Sequence, residues 1–196
     1  MLYFILGVCS VLVVWVSLNS LWGFSQQKPS DYESNGPKLD FRTVMQGHFL
    51  CEGLVYDFRG KVVARFKADM HGEFEGSTGT LKEHFIYASG REDNREWTLS
   101  FNDDGSFTAT APDIVGIAIG QQSGNTVKLT YKIKLPQDAG GHVLSATDWM
   151  YLTDHGTLIN RSEMRKYGIK VAELFAVMKH RDLGDPAHIL TGAGTP

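Results

Sequence analysis

Val127-Lys128-Leu129-Thr130-Tyr131-Lys132-Ile133-Lys134-Leu135 is the stretch that decides the fold. Its apolar residues fall on every second position, with lysine or threonine between them. A chain that turns successive side chains to opposite faces in this way is an extended strand, half buried and half in water. The same period recurs on both sides of it. Trp97, Leu99 and Phe101 alternate with Glu96, Thr98 and Ser100. Val62, Ala64, Phe66, Ala68 and Met70 share one face, opposite Lys61, Arg65, Lys67 and Asp69. Turn-forming runs separate these segments: Asp57-Phe58-Arg59-Gly60, Asn102-Asp103-Asp104-Gly105, Ser123-Gly124-Asn125, Ala139-Gly140-Gly141 and Asp154-His155-Gly156. About nine or ten strands at this spacing read as an all-β antiparallel meander closing into a barrel or sandwich. Residues 169–180 are the one ambiguous stretch. Ile169, Val171, Phe175 and Val177 fit a strand face, whereas Leu174 and Met178 also fit a helical period.

The N-terminus is of another kind. No charged side chain precedes Lys28, and from Leu2 to Phe24 only Ser10, Ser17, Asn19 and Ser20 are clearly polar. As a helix, 23 residues span roughly 34 Å, just over the hydrocarbon core of a bilayer. Trp22 suits the membrane interface. Residues 1–24 are therefore expected to form a transmembrane anchor, the alternative being a signal segment cleaved after Ser25. Residues 25–46 have the composition of a polar tether, 47–181 form the β-domain, and 182–196 read as a flexible tail. Cys9 and Cys51 stand in different surroundings, and no disulfide between them is expected. Lys28, Lys38 and Arg42 follow the apolar run, a bias that, counted literally, puts the domain in the cytoplasm.

The 19 basic and 22 acidic side chains give a net charge of −3 with no basic block, so nucleic acid is excluded as a partner class. The seven histidines are scattered without zinc-type spacing, and neither a nucleophile elbow nor a phosphate-cradling glycine loop occurs. No metal, cofactor or catalytic residue is expected. More informative are polar residues on apolar faces. Glu83 shares the parity of Leu81, Phe85 and Tyr87, and Arg95 that of Trp97, Leu99 and Phe101. Asp148 lies with Leu144, Ala146, Met150 and Leu152, and Asn160 with Leu158 and Met164. Inward polar groups need partners, either a structural network or a ligand. A turn placed around Gly90–Asp93 sets Tyr87 opposite Arg95, Phe85 opposite Trp97 and Glu83 opposite Leu99. On that register Arg95 is held by Glu83 or Asp148, or else receives the acid head of a fatty acyl ligand.

Six motifs occur in order: Glu83-His84-Phe85-x-Tyr87, Arg95-x-Trp97, Pro112-Asp113-Ile114-Val115-Gly116, Gly124-Asn125, Asp148-Trp149-Met150-Tyr151-Leu152 and Asn160-Arg161-x-x-Met164. From about Leu39 to Met178 the chain resembles the bacterial family of domain of unknown function 3833. The resemblance implies an envelope protein, often a lipoprotein, with a lipocalin-like (calycin) up-and-down barrel, here of about eight to ten strands. The family has no established activity, so it transfers no catalytic role. Cys9 departs from the usual lipoprotein start, because Val8 stands where a small residue is required. That departure favours a helical anchor, and the resemblance puts the domain on the periplasmic side of the inner membrane.

Three functions follow as expectations. A binding module would hold a lipid or other apolar small molecule, with Glu83, Arg95, Trp97, Asp148, Trp149, Asn160 and Arg161 as its candidate ligand-binding residues. An enzyme on a lipid-like substrate would use Glu83, His84 or Asp148 as acid or base. A structural envelope protein would have a filled barrel. The partners expected are the bilayer and such a small molecule, with protein partners left open. If residues 1–24 are an uncleaved anchor, the protein fractionates with membranes and resists extraction by high salt and alkaline carbonate. A mature soluble form beginning near Gln26 would overturn this.

Overall fold

A computed structural model describes residues 24–181 and, before them, residues 1, 3, 4, 7, 8, 10 and 11. The expected anchor and the expected tail at 182–196 therefore lie largely or wholly outside the described residues. Among those described, no helix is long and apolar enough to cross a membrane.

Ten antiparallel strands form one closed barrel: β1 (Gly47–Asp57), β2 (Val62–Glu75), β3 (Thr78–Tyr87), β4 (Glu92–Phe101), β5 (Ser106–Thr110), β6 (Ala118–Ser123), β7 (Thr126–Lys134), β8 (Val143–Leu152), β9 (Leu158–Lys166) and β10 (Ile169–His180). Each strand pairs with its neighbours in sequence, and β10 returns to β1 with Phe49 opposite His180. The ambiguous stretch is thus a strand. Its inward face is the opposite one from that expected: Ala176 and Met178 are buried, whereas Ile169 and Phe175 are exposed. Elsewhere the alternation holds, with Trp97, Leu99, Val127 and Leu129 buried and Lys132 and Lys134 in solvent.

Four hairpins share one loop. Asp57–Lys61, Tyr87–Arg91, Asn102–Ser106 and Thr153–Thr157 each close with a backbone N–H to carbonyl bond of 2.9 Å from the first residue to the fifth. The fourth residue is always glycine, at φ between 74° and 86°. This is the three-residue hairpin that ends in a left-handed residue, a conformation glycine adopts without steric cost. The β3–β4 turn is therefore Ala88-Ser89-Gly90, earlier in the chain than expected. It sets Glu83 directly opposite Arg95, Leu81 opposite Trp97 and Phe85 opposite Asp93, correcting the expected register.

Residues 25–46 do not behave as a tether. Two 3₁₀ turns, Phe24–Gln26 and Pro29–Tyr32, lie against the outer wall. There the Tyr32 ring meets Trp149 at 5.4 Å and Tyr151 at 5.7 Å. A single helical turn, α1 (Phe41–Val44), is capped by the Asp40 side chain, which accepts from the Arg42 N–H. It carries Phe41 and the adjacent Met45 into one end of the barrel, where both are buried. Phe41 stacks on Phe107 at 5.6 Å and meets Phe74 edge-on at 6.1 Å. The apolar residues in this segment plug the barrel, a role hidden by its polar average.

Room for these rings comes from glycine on the facing strand. Gly53 pairs with Phe66, Gly79 with Phe74 and Gly120 with Phe107. A Cβ on Gly120 would stand 2.1 Å from the Phe107 ring. Gly120→Ala is expected to destabilise the protein by about 1–3 kcal/mol by overpacking. In a Phe107→Ala background the same change should cost far less, because the clash is gone. Urea unfolding of the four forms tests this, and additive losses would refute the pairing.

Candidate ligand-binding cavity

Phe41 and Met45 form the floor of an interior cavity of about 590 Å³ that opens at the other end, among the β3–β4 and β7–β8 loops. Apolar side chains from all around the barrel line it, among them Phe66, Leu81, Leu129, Met150 and Leu174. The size is that of a site for one small molecule.

One side of the cavity is polar. The corrected β3–β4 register brings Glu83 and Arg95 face to face, with Arg95 Nη1 3.5 Å from Glu83 Oε2. Trp97, two residues on and so on the same face, donates its indole N–H to Glu83 Oε2 at 3.2 Å. The main partner of Arg95 is one that sequence reasoning missed. Its Nε and Nη2 donate to Asp113 at 3.0 and 2.7 Å, a two-pronged grip. Asp113 comes from the loop between β5 and β6. Hydrogen bonds of 2.8 Å from Lys134 N to Asp113 O and from Val115 N to Lys132 O tie that loop to β7. The sequence signal was present in Pro112-Asp113, a motif noted but given no role.

Beside Trp97, whose ring it meets at 5.6 Å, Tyr131 on β7 donates its hydroxyl to Asp148 Oδ2 on β8 at 3.0 Å. Asp148 was the other expected partner of Arg95, but it draws on the Tyr131 and Ser162 hydroxyls instead. Asn160 on β9 donates to Ser162 Oγ at 3.2 Å. Asn160 Oδ1 is buried and accepts no hydrogen bond.

Burial sets the protonation of this cluster. It raises the Glu83 carboxyl, against the nearby Arg95 charge and the Trp97 N–H. Asp148 is pushed up to about 6 by burial, against the pull of the Ser162 and Tyr131 hydroxyls and the Arg95 charge. Burial also opposes the charge on Arg95, but Glu83 and Asp113 more than offset this and keep it cationic. The Cys51 thiol, also at the cavity wall, is pushed up to about 12 by burial and the Glu83 charge. It is therefore a neutral, unreactive group.

Of the seven candidate residues, Glu83, Arg95, Trp97, Asp148 and Asn160 line the cavity. Trp149 and Arg161 do not. Both occupy outward positions of β8 and β9, directly opposite one another. Trp149 is fully buried all the same, beneath Tyr32 and beside Lys128. Arg161 pairs with Glu173 at 2.6 Å and lies 5.1 Å from the Phe24 ring. These two residues dock the N-terminal segment onto the wall. His84 also points outward, bonded to Asn94 at 2.8 Å. Among the described residues, no group of three or more histidine, cysteine or acidic side chains could hold a metal ion.

A closed antiparallel meander with an end-opening cavity is a lipocalin-like barrel. Similar folds are the S-type phycobiliprotein lyase CPES of Guillardia theta (TM-score 0.54, 6% identity, 79% of this chain and 97% of that one) and Rv2717c of M. tuberculosis (TM-score 0.51, 15% identity, 76% and 99%). At these identities the likeness is one of fold. No curated protein sequence matches the chain. The family described as Protein of unknown function (DUF3833) matches residues 18–180, and the chain belongs to it.

The protonation of Asp148 is testable. Its folded pKa of about 6 lies above the ordinary 3.8. The native state thus holds a proton that the unfolded chain releases between those values, and this contribution to stability is lost as pH rises through them. Asp148→Asn, neutral at every pH, should match wild type near pH 4 and exceed it in stability above pH 6. Parallel pH profiles in denaturant melts would contradict the assignment.

Proposed function

We propose that the protein is a membrane-anchored envelope protein whose barrel binds a lipid or other apolar small molecule. The observation that carries this is the cavity of about 590 Å³, apolar over most of its wall and open at one end. A purely structural barrel would fill that volume with side chains, as protein interiors do. The five inward polar residues supply an orienting contact, the usual pattern in such sites. The anchor rests on the uncharged run from Leu2 to Phe24, and the periplasmic location on the family resemblance.

Purified protein should take up the neutral apolar dye 1-N-phenylnaphthylamine with a saturable fluorescence rise, and native mass spectrometry should find a copurifying apolar molecule. Ala64→Trp, which puts a large ring at the cavity wall, should weaken dye binding at least tenfold. A protein that takes up no dye and carries no molecule would overturn the reading.

A further inference from the structure

The polar side of the cavity is unbalanced in two respects. Glu83, Asp113 and Asp148 are three carboxyls, and Arg95 is the one cationic side chain at their depth. The other cationic side chains at the cavity are at its mouth, where Arg91 pairs with Asp93 at 2.6 Å and Lys134 is exposed. Hydrogen-bond donors are short as well. Arg95, Trp97 and Tyr131 direct donors to carboxylates within the cluster. Acceptors are in excess: Asp148, only 8% exposed, draws on the Tyr131 and Ser162 hydroxyls, and Asn160 Oδ1 is buried with no hydrogen bond. Asp148 and Asn160 lie on adjacent strands, because Asp148 pairs with Ser162 and Met150 with Asn160.

An acid head entering this cavity would meet three carboxyls and an arginine whose charge two of them already oppose. A protonated amine has the opposite fit. Its N–H groups are all donors, and its charge offsets the carboxyl excess. We infer that the cavity selects an apolar molecule ending in a protonated amine, with the ammonium held against the Asp148 carboxylate. This rests on the binding reading above and replaces the fatty acyl acid expected for Arg95.

The test is displacement of prebound 1-N-phenylnaphthylamine at pH 7.5 by dodecylamine, dodecan-1-ol and dodecanoate, each below its micellar concentration. Dodecylamine should displace the dye at one-tenth or less of the dodecanoate concentration, with the alcohol between them. Asp148→Asn should shrink the amine-to-acid ratio at least fivefold. Dodecanoate equal to or better than the amine, or an unchanged ratio in Asp148→Asn, overturns the inference while the dye signal keeps the cavity reading. Failure of the dye to bind at all overturns both.

Discussion

Ten strands closed into a ring enclose more space than their own inward side chains occupy, because barrel diameter grows with strand number. Everything else inside this molecule answers that constraint. At one end the excess is removed by α1 and Met45, which enter the barrel, and by Phe74, Phe101 and Phe107, which close around Phe41. At the other end it is left open and becomes the cavity. The three glycine–phenylalanine cross-strand pairs serve the same end, because each large ring fills the space its partner vacates. Aromatic packing thus sets where the interior stops being core and starts being site.

The cavity then has to accommodate charge. Arg95 is costly to bury alone, and the chain meets that cost with carboxyls from two places, one across the β3–β4 ladder and one from the β5–β6 loop. Asp148 stands apart from this pairing, held by the Tyr131 and Ser162 hydroxyls. A carboxyl at that depth, raised towards neutrality, is expensive to maintain as scaffold. A leucine of similar volume would serve a filled barrel better.

The strands and, except in β10, their inward faces were readable because one physical rule, burial of alternate side chains, acts within each segment. It placed Glu83, Arg95, Trp97, Asp148 and Asn160 on the interior before any coordinates. Relations between segments were harder. The Glu83–Arg95 pairing was displaced because the turn was centred on Gly90–Asp93. Yet the recurring glycine at the fourth position of Asp57–Lys61, Asn102–Ser106 and Thr153–Thr157 marks Tyr87–Arg91 as the same loop, and would have set the register. Asp113 was out of reach, since no periodicity tells where a seven-residue loop folds back. Trp149 and Arg161 were linked to Asp148 and Asn160 by motif, although parity alone puts them on the other face. The segment from Leu39 to Met45 was masked by its polar neighbours, because composition averages away a few buried anchors.

The ladder order has a consequence for how the barrel forms. Nine of the ten pairings join strands adjacent in the chain, and the tenth joins Phe49 to His180 across nearly the whole domain. Hairpins can assemble early and independently, but the ring cannot close until that last seam does. Pairings distant in sequence bear the largest loop-closure entropy and govern folding speed. The β1–β10 seam therefore bears the largest loop-closure entropy of the ten pairings. Until it zips, the long outer strands present two unpaired edges, the feature through which β-proteins associate with one another instead of with themselves.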